Sequence, residues 1–178
     1  MSSPENLHPN LVISSSKAHR ALFTKMRNAS TSSEDFVKYS KRAMRILAED
    51  ALAEFPSTDV KITTPCGPCD GCVGPDPTTI CAVSIIRSGD ALLEVVRDVE
   101  PALRVGKILI QRDESHPDKI AKLFYSKLPP ASGTEELPYV LLCDPMLATG
   151  GSALKAIEVL SRQPSTSALT RTNSLFRV

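Results

Sequence analysis

The sequence predicts an α/β fold with a mostly parallel sheet flanked by helices. Three nearly all-apolar runs, at residues 79–86, 105–111 and 139–143, are typical of strands that are buried on both faces. Segments with helical periodicity precede and separate them, which is the alternation expected of a parallel sheet covered by helices. At 178 residues, the chain is long enough for one domain with a sizeable core.

The N-terminal third is predicted to be an arm followed by two helices. Residues 1–18 form the arm, and a short helix is predicted at 19–28. Thr31 and Glu34 have the spacing of a capping box, which predicts the start of a longer helix. Apolar residues then recur at helical spacing until Pro56, which marks the exit from that helix.

The remaining elements alternate between strands and helices. Residues 60–64 predict a strand, whereas 65–79 contain four prolines and three glycines and predict a Pro/Gly/Cys-rich flap. Residues 91–99 predict a helix, 121–128 an alternating strand, and 152–162 the last helix. This order continues the α/β alternation towards the C-terminus.

Polar clusters follow three of the buried strands. They begin at Arg87, at Arg112 and at Asp144, and the second cluster continues through Asp113 and Glu114. In α/β sheets, ligands bind beyond the carboxyl ends of the strands. The clusters therefore predict a ligand site at one edge of the sheet.

The third cluster has the features of a phosphate-binding turn. The turn after Asp144 ends in Thr149-Gly150-Gly151-Ser152 at a predicted helix start. Glycines let the backbone approach a ligand, hydroxyls donate hydrogen bonds, and a helix N-terminus favours an anion. Asp144 could accept hydrogen bonds from ribose hydroxyls, so a sugar 5-phosphate fits. An ordinary strand–turn–helix with Ser152 as the cap explains the pattern equally well.

A family resemblance distinguishes these two interpretations. The segment Asp144-Pro-Met-Leu-Ala-Thr-Gly-Gly-Ser152 resembles the phosphoribosyl-pyrophosphate motif of uracil phosphoribosyltransferases at every position. Further similar segments lie at 85–90, 105–114 and 125–129, and the resemblance covers roughly residues 10–162. It implies a phosphoribosyltransferase-like fold and an enzyme of pyrimidine salvage. Such an enzyme converts uracil and phosphoribosyl pyrophosphate to UMP and pyrophosphate.

The resemblance also implies roles for site residues. Arg87 and Arg112 would contact the pyrophosphate, and with Asp144 they would be the catalytic residues. Ser88 and Asp90 stand where the family usually has Ala and Glu. Because Asp144 is the only acid in its loop, we expect Mg²⁺ to be carried mainly by the pyrophosphate substrate. The residues implied to hold the substrate at this loop are Asp144, Pro145, Met146, Leu147, Ala148, Thr149, Gly150, Gly151 and Ser152.

The C-terminal residues depart from the family pattern. The domain is expected to span 19–162, and the polar residues 163–178 are expected to be a divergent, disordered tail, as in a truncated gene model or splice form. No stretch similar to the family's Pro-Gly-Leu-Gly-Asp uracil-binding segment is present. We therefore expect weak or no uracil transfer by this chain alone. The alternative is a non-catalytic variant that binds phosphoribosyl pyrophosphate or joins full-length copies in oligomers.

The cysteines suggest a third hypothesis. Cys66 and Cys69 have the spacing of a redox pair, but the prolines and glycines that follow do not favour the helix such a pair requires. With Cys72 and Cys81 they could supply four thiolates to zinc or an iron–sulfur cluster. We instead expect free thiols in a flap, with Cys81 and Cys143 buried in strands.

Composition limits the partners. The net charge of +1 and an aromatic content of 4% give no reason to expect nucleic acid or an anionic membrane. The N-terminus lacks a secretory pattern, which indicates a cytoplasmic protein that could also enter the nucleus. The resemblance implies a homo-oligomer and a GTP effector. His8, His19 and His116 are expected to have no role in the site.

Overall fold

A computed structural model of the chain describes residues 11–14, 16–112, 120–129 and 139–162. A short 3₁₀ turn, Pro77–Thr79, precedes the third strand. The helices and strands, in chain order, are α1 (Lys17–Arg27), α2 (Ser33–Leu52), β1 (Thr58–Thr64), β2 (Gly67–Val73), β3 (Ile80–Ile86), α3 (Gly89–Val99), β4 (Arg104–Arg112), β5 (Ala121–Lys127), β6 (Tyr139–Cys143) and α4 (Gly151–Ser161).

The main sheet is mixed but mostly parallel. Its strand order is β5-β4-β3-β6, in which β3 is parallel to both of its neighbours and β4 pairs with β5 antiparallel. β3 is buried from Ile80 to Ile85 because it lies between two strands and is covered by helices on both faces. The predicted α/β fold, with a mostly parallel sheet flanked by helices, is confirmed.

Side chains alternate between the two faces of β3. Cys81, Val83 and Ile85 pack in a core cluster with α4, whereas Ile80 and Ala82 pack in a second cluster with α2 and α3. The period of two along a strand separates these sets. The sheet therefore has a core on each face.

The two N-terminal helices pack together, and α2 is capped by a different residue from the one predicted. Ser32, not Thr31, caps α2, because its hydroxyl accepts a hydrogen bond from the Asp35 N–H at 3.1 Å. The Thr31 hydroxyl instead donates to the Lys25 carbonyl at 2.6 Å, at the end of α1. His19 is buried, and its Nε2 lies 3.1 Å from the Ala43 carbonyl oxygen of α2. His19 therefore connects α1 to α2.

The prediction of a flap at residues 65–79 is wrong for the first half of that segment. Residues 67–73 form β2, which pairs antiparallel with β1 from Thr64↔Gly67 to Thr58↔Val73. Prolines and glycines suggested a loop, but this hairpin is a separate two-stranded sheet, and both of its strands are edge strands within the part of the chain that the structure describes. An edge strand tolerates proline because its outward N–H needs no partner.

Some predictions concern residues that the structure does not describe. The tail at 163–178, most of the arm, His8, Asp113, Glu114 and His116 lie outside the described residues. Among the helices that are described, none is both long enough and apolar enough to cross a membrane.

Candidate functional site

The three strands that lead to the predicted polar clusters end at the same edge of the main sheet. β3, β4 and β6 are parallel, and their register pairs Ile86 with Leu109 and Ser84 with Cys143. Arg87 therefore directly follows β3, and Asp144 directly follows β6. Arg112 ends β4, although only its backbone position is described. The structure thus brings together the strand ends that carry these residues, as parallel pairing requires.

The chain passes from β3 into α3 through a very short turn, which we call the Arg87 turn (residues 87–89). The Ile86–Arg87 peptide bond is cis. Asp90 N–H donates to the Arg87 carbonyl and Ala91 N–H to the Ser88 carbonyl, both at 3.2 Å. The Arg87 side chain is exposed at the sheet edge. A guanidinium in that position can donate paired hydrogen bonds to phosphate oxygens.

Gly89 allows the Arg87 turn to touch the end of β6. Gly89 is buried, and a Cβ added there would overlap the Cys143 carbonyl oxygen and lie 2.8 Å from the Ser84 hydroxyl. Any larger residue would push the turn away from β6. Because Cys143 directly precedes Asp144, this contact brings the Arg87 turn next to the third cluster, which begins at Asp144.

Asp144 lies at the mouth of the loop and is only partly buried. Its Oδ1 accepts a hydrogen bond from the Met146 N–H at 3.3 Å. Burial raises the pKa of Asp144 above the usual aspartate value, although the Met146 N–H and the Ser88 hydroxyl each oppose the rise. The Ser88 contact again couples the two turns. A carboxylate in this place can accept hydrogen bonds from sugar hydroxyls.

The loop after Asp144 ends in an open helix N-terminus. Residues 145–149 are exposed, and Gly150 is the N-cap of α4 with φ +79° in the left-handed region. Glycine adopts this conformation without strain, and it has no side chain to cap the first-turn N–H groups. Ser152 lies inside the helix, so the prediction of Ser152 as the cap is wrong. The uncapped N–H groups and the helix dipole favour an anion.

Two residues beside the site were not predicted from the sequence as part of it. They are Ser84 and Lys107. Ser84 and Lys107 each interrupt an otherwise apolar strand, and this interruption could have identified them from the sequence. Lys107 Nζ lies 3.0 Å from Asp90 Oδ2, at the first turn of α3.

The cysteines do not form a ligand set. All five are free thiols, and Cys66, Cys69 and Cys72 are exposed on the hairpin. Cys69 and Cys72 are three residues apart on β2, so they project from opposite faces, about 10 Å apart along the strand. Cys81 is buried in the other sheet, where desolvation raises its pKa to about 12. In the described part of the chain, no group of three or more His, Cys, Asp or Glu could hold a metal ion.

Comparison with known proteins identifies the family. Residues 13–169 match the family model described as uracil phosphoribosyltransferase. The chain belongs to the uracil phosphoribosyltransferase family. A uracil phosphoribosyltransferase of Dictyostelium discoideum is 43% identical over 160 residues, and one of Saccharomyces cerevisiae is 42% identical over 143 residues.

The family match covers most of this chain but less of its relatives. The aligned part is 90% of this chain and 70% of the Dictyostelium uracil phosphoribosyltransferase, and 80% of this chain and 63% of the yeast one. A solved structure of a protein from Aquifex aeolicus superposes with a TM-score of 0.65 at 28% identity, covering 85% of this chain and 70% of that one. The predicted phosphoribosyltransferase fold and family are confirmed.

Proposed function

We propose that this chain carries the phosphoribosyl-pyrophosphate site of a uracil phosphoribosyltransferase, which converts uracil to UMP and releases pyrophosphate. One observation carries the proposal. An exposed arginine, a carboxylate and an uncapped helix N-terminus lie at the ends of parallel strands in a chain of this family. This combination suits a ligand with a phosphate at one end, sugar hydroxyls in the middle and a second anionic group beyond.

The helix N-terminus suits the 5-phosphate of the ribose. The left-handed Gly150 lets the loop turn into α4 without a side chain over the first-turn N–H groups. Thr149 and Ser152 add hydroxyl donors on either side of the glycines. A phosphate monoester in this turn would accept several N–H and O–H hydrogen bonds and would be stabilised by the helix dipole.

Asp144 suits the ribose hydroxyls. A carboxylate repels phosphate oxygens but accepts hydrogen bonds from hydroxyl groups, and Asp144 precedes the phosphate turn by several residues. The ribose would therefore lie between the phosphate turn and the Arg87 turn. In this order, the pyrophosphate on ribose carbon 1 would lie on the side of the arginines.

Arg87 and Arg112 suit the departing pyrophosphate. When the bond from ribose carbon 1 to pyrophosphate breaks, the sugar becomes oxocarbenium-like and the leaving group gains negative charge. Arginine side chains stabilise that charge as it develops. We propose that Mg²⁺ neutralises further charge and is carried mainly by the substrate. Asp144 is the one acid in its loop, and Asp90 is paired with Lys107, so few carboxylate oxygens among the described site residues are free to hold the metal.

Calorimetry with the 178-residue chain and phosphoribosyl pyrophosphate in the presence of Mg²⁺ tests this site. We expect saturable binding, and we expect Arg87→Met to weaken it about tenfold or more, because a charged hydrogen-bond donor is lost. Arg97→Met is the matched control, since Arg97 is exposed at the far end of α3. No binding by the wild-type chain, or equal losses in both variants, would contradict the proposal.

A UMP assay separates the enzyme from the non-catalytic alternative. Family membership favours the enzyme, and the formation of UMP and pyrophosphate from uracil and phosphoribosyl pyrophosphate would establish it. Binding without turnover would favour the variant that only binds ligand. Weak or absent transfer by the chain alone stays a prediction that the same assay tests. We also propose a homo-oligomer with GTP as an effector, on the family resemblance alone, and a cytoplasmic location, on the sequence pattern.

A further inference from the structure

Three polar side chains meet beneath the Arg87 turn, and we call them the Ser84–Asp90–Lys107 cluster. Lys107 on β4 donates from Nζ to Asp90 Oδ2 at 3.0 Å. In the parallel register, Ser84 is the partner of Lys107 on one side and of Cys143 on the other. Register partners in parallel strands point to the same face, so Ser84 and Lys107 both project towards α3, where Asp90 lies in the first turn.

The cluster is polar where its surroundings are apolar. Ser84 is fully buried within a run of buried apolar residues. By distance and angle, neither its hydroxyl nor Asp90 Oδ1 has a hydrogen-bond partner among the described residues, although both atoms are buried. The Ser84 hydroxyl is nevertheless close enough to lower the pKa of Asp90, and with Lys107 it outweighs the opposing effect of burial. Buried polar groups cost stability unless they are paired, so their presence here calls for a role.

The geometry of the cluster indicates that role. The Arg87 turn contacts β6 through Gly89 and the Cys143 carbonyl. Directly after the turn, the Asp90–Lys107 pair connects the start of α3 to β4. These are the two strands that lead to Asp144 and to Arg112. The turn that presents Arg87 is thus held between the strands that carry the other predicted site residues.

We propose that Asp90 and Lys107 are positioning residues whose ion pair, seated on Ser84, fixes the Arg87 turn between β4 and β6. This inference rests on the proposed function for its effect on ligand binding, but its structural part does not. Neither residue needs to touch the substrate. The pair acts through Arg87 by restricting where its backbone can lie, which is how a well-oriented site reduces the cost of binding.

A second ion pair on the same helix provides a matched control. Lys41 Nζ lies 3.1 Å from Glu94 Oε1 and connects α2 to α3. Its side chains are 54% and 61% exposed, against 44% and 41% for Lys107 and Asp90. The two pairs are thus similar in exposure and differ mainly in position, because Glu94 lies about one helical turn beyond Asp90 and pairs with α2. Changing it should leave the turn as it is.

Hydrogen exchange of the backbone amides at 86–91 tests the structural part without any ligand. Asp90→Asn and Lys107→Met should each speed exchange in this segment by about three- to tenfold, because local opening becomes easier. Glu94→Gln and Lys41→Met should leave the exchange rate of this segment unchanged. The double variant Asp90→Asn with Lys107→Met should exchange no faster than either single one, since one pair is lost in all three. Unchanged exchange, or effects that add in the double variant, would overturn the proposal.

Calorimetry with phosphoribosyl pyrophosphate tests the effect on the site. Asp90→Asn and Lys107→Met should weaken binding several-fold, whereas Asp90→Glu, which keeps the carboxylate, should retain most of it. If the two variants exchange faster but bind as tightly as the wild type, the pair is merely structural and the positioning role is wrong. If the wild-type chain does not bind, the proposed function fails, and the exchange experiment still decides whether the pair holds the turn.

Discussion

At the scale of single residues, two aspartates that follow neighbouring strands have pKa values that are shifted in opposite directions. The pKa of Asp90 is lowered: burial would raise it, but the Ser84 hydroxyl and the Lys107 ammonium outweigh burial. The pKa of Asp144 is raised, because burial there outweighs the Met146 N–H and the Ser88 hydroxyl. The Lys107 ammonium thus stabilises the ionised form of Asp90. The Asp144 carboxylate, in contrast, would be stabilised by further hydrogen-bond donors. Ribose hydroxyls would supply such donors.

The raised pKa of Asp144 predicts how ligand binding depends on pH. Ribose hydroxyls need the ionised carboxylate, so affinity for phosphoribosyl pyrophosphate should fall as pH is lowered through the raised pKa. The fall should begin at a higher pH than the usual aspartate value of 3.8 would give. Calorimetry across acid pH, below the range in which the substrate phosphates change charge, measures it.

Removing the Ser88 hydroxyl should shift that profile. Because this hydroxyl lowers the pKa of Asp144, Ser88→Ala should move the fall in affinity to higher pH. Ser161→Ala, at the exposed end of α4, is the control and should leave the profile unchanged. Superimposable profiles for Ser88→Ala and the wild type would show that Ser88 does not act on Asp144.

At the scale of elements, the junction between α3 and β6 depends on a glycine. Gly89→Ala would place a methyl group over the Cys143 carbonyl oxygen, which belongs to backbone and cannot rotate away. We expect a loss of about 1–3 kcal/mol in the free energy of unfolding, together with weaker ligand binding as the Arg87 turn moves. Denaturant titration measures the first effect and calorimetry the second.

Gly71→Ala is the matched control for that substitution. A Cβ at Gly71 would lie 4.0 Å from the nearest side-chain atoms of Ile62 and Val60, which is ordinary contact. Its free energy of unfolding should stay within about 0.5 kcal/mol of the wild type. Equal losses from both substitutions would mean that the contact between Gly89 and Cys143 has no special importance.

At the scale of the whole molecule, the two sheets place their thiols in opposite environments. Cys66, Cys69 and Cys72 are exposed on the hairpin, whereas Cys81 and Cys143 are buried in the main sheet. Desolvation raises the pKa of both buried thiols to about 12, which removes the reactive thiolate at neutral pH. The hairpin should therefore be the part of this chain that reacts with thiol reagents.

A thiol-reactive dye tests this division. The native chain should react quickly at the three exposed thiols and at the two buried ones only after unfolding in denaturant. Cys66→Ser should lower the fast count by one, whereas Cys143→Ser should leave it unchanged. A fast count that rises only after treatment with a chelator would instead indicate a bound metal and contradict the prediction of free thiols.

Much of the fold could be predicted because its signals are local. The helix predicted at 91–99 is Gly89–Val99, and the strand predicted at 105–111 is Arg104–Arg112. The hairpin strand at 67–73 was missed because proline and glycine disfavour strands in general, while an edge strand accepts them. The cap of α2 was misplaced by one residue, since Thr31 and Ser32 are chemically equivalent caps and only the backbone path distinguishes them.

The sequence by itself determined the α/β class and the family, and it predicted a site at the ends of the parallel strands. Apolar runs, helical periodicity and a nine-residue motif are properties of neighbouring residues and need no knowledge of packing. Only the tertiary structure decided that Lys107 meets Asp90 over Ser84, that Gly89 touches Cys143, and that burial raises the pKa of Asp144. These contacts depend on strand order and register, which bring distant parts of the chain together and set how much water reaches each group.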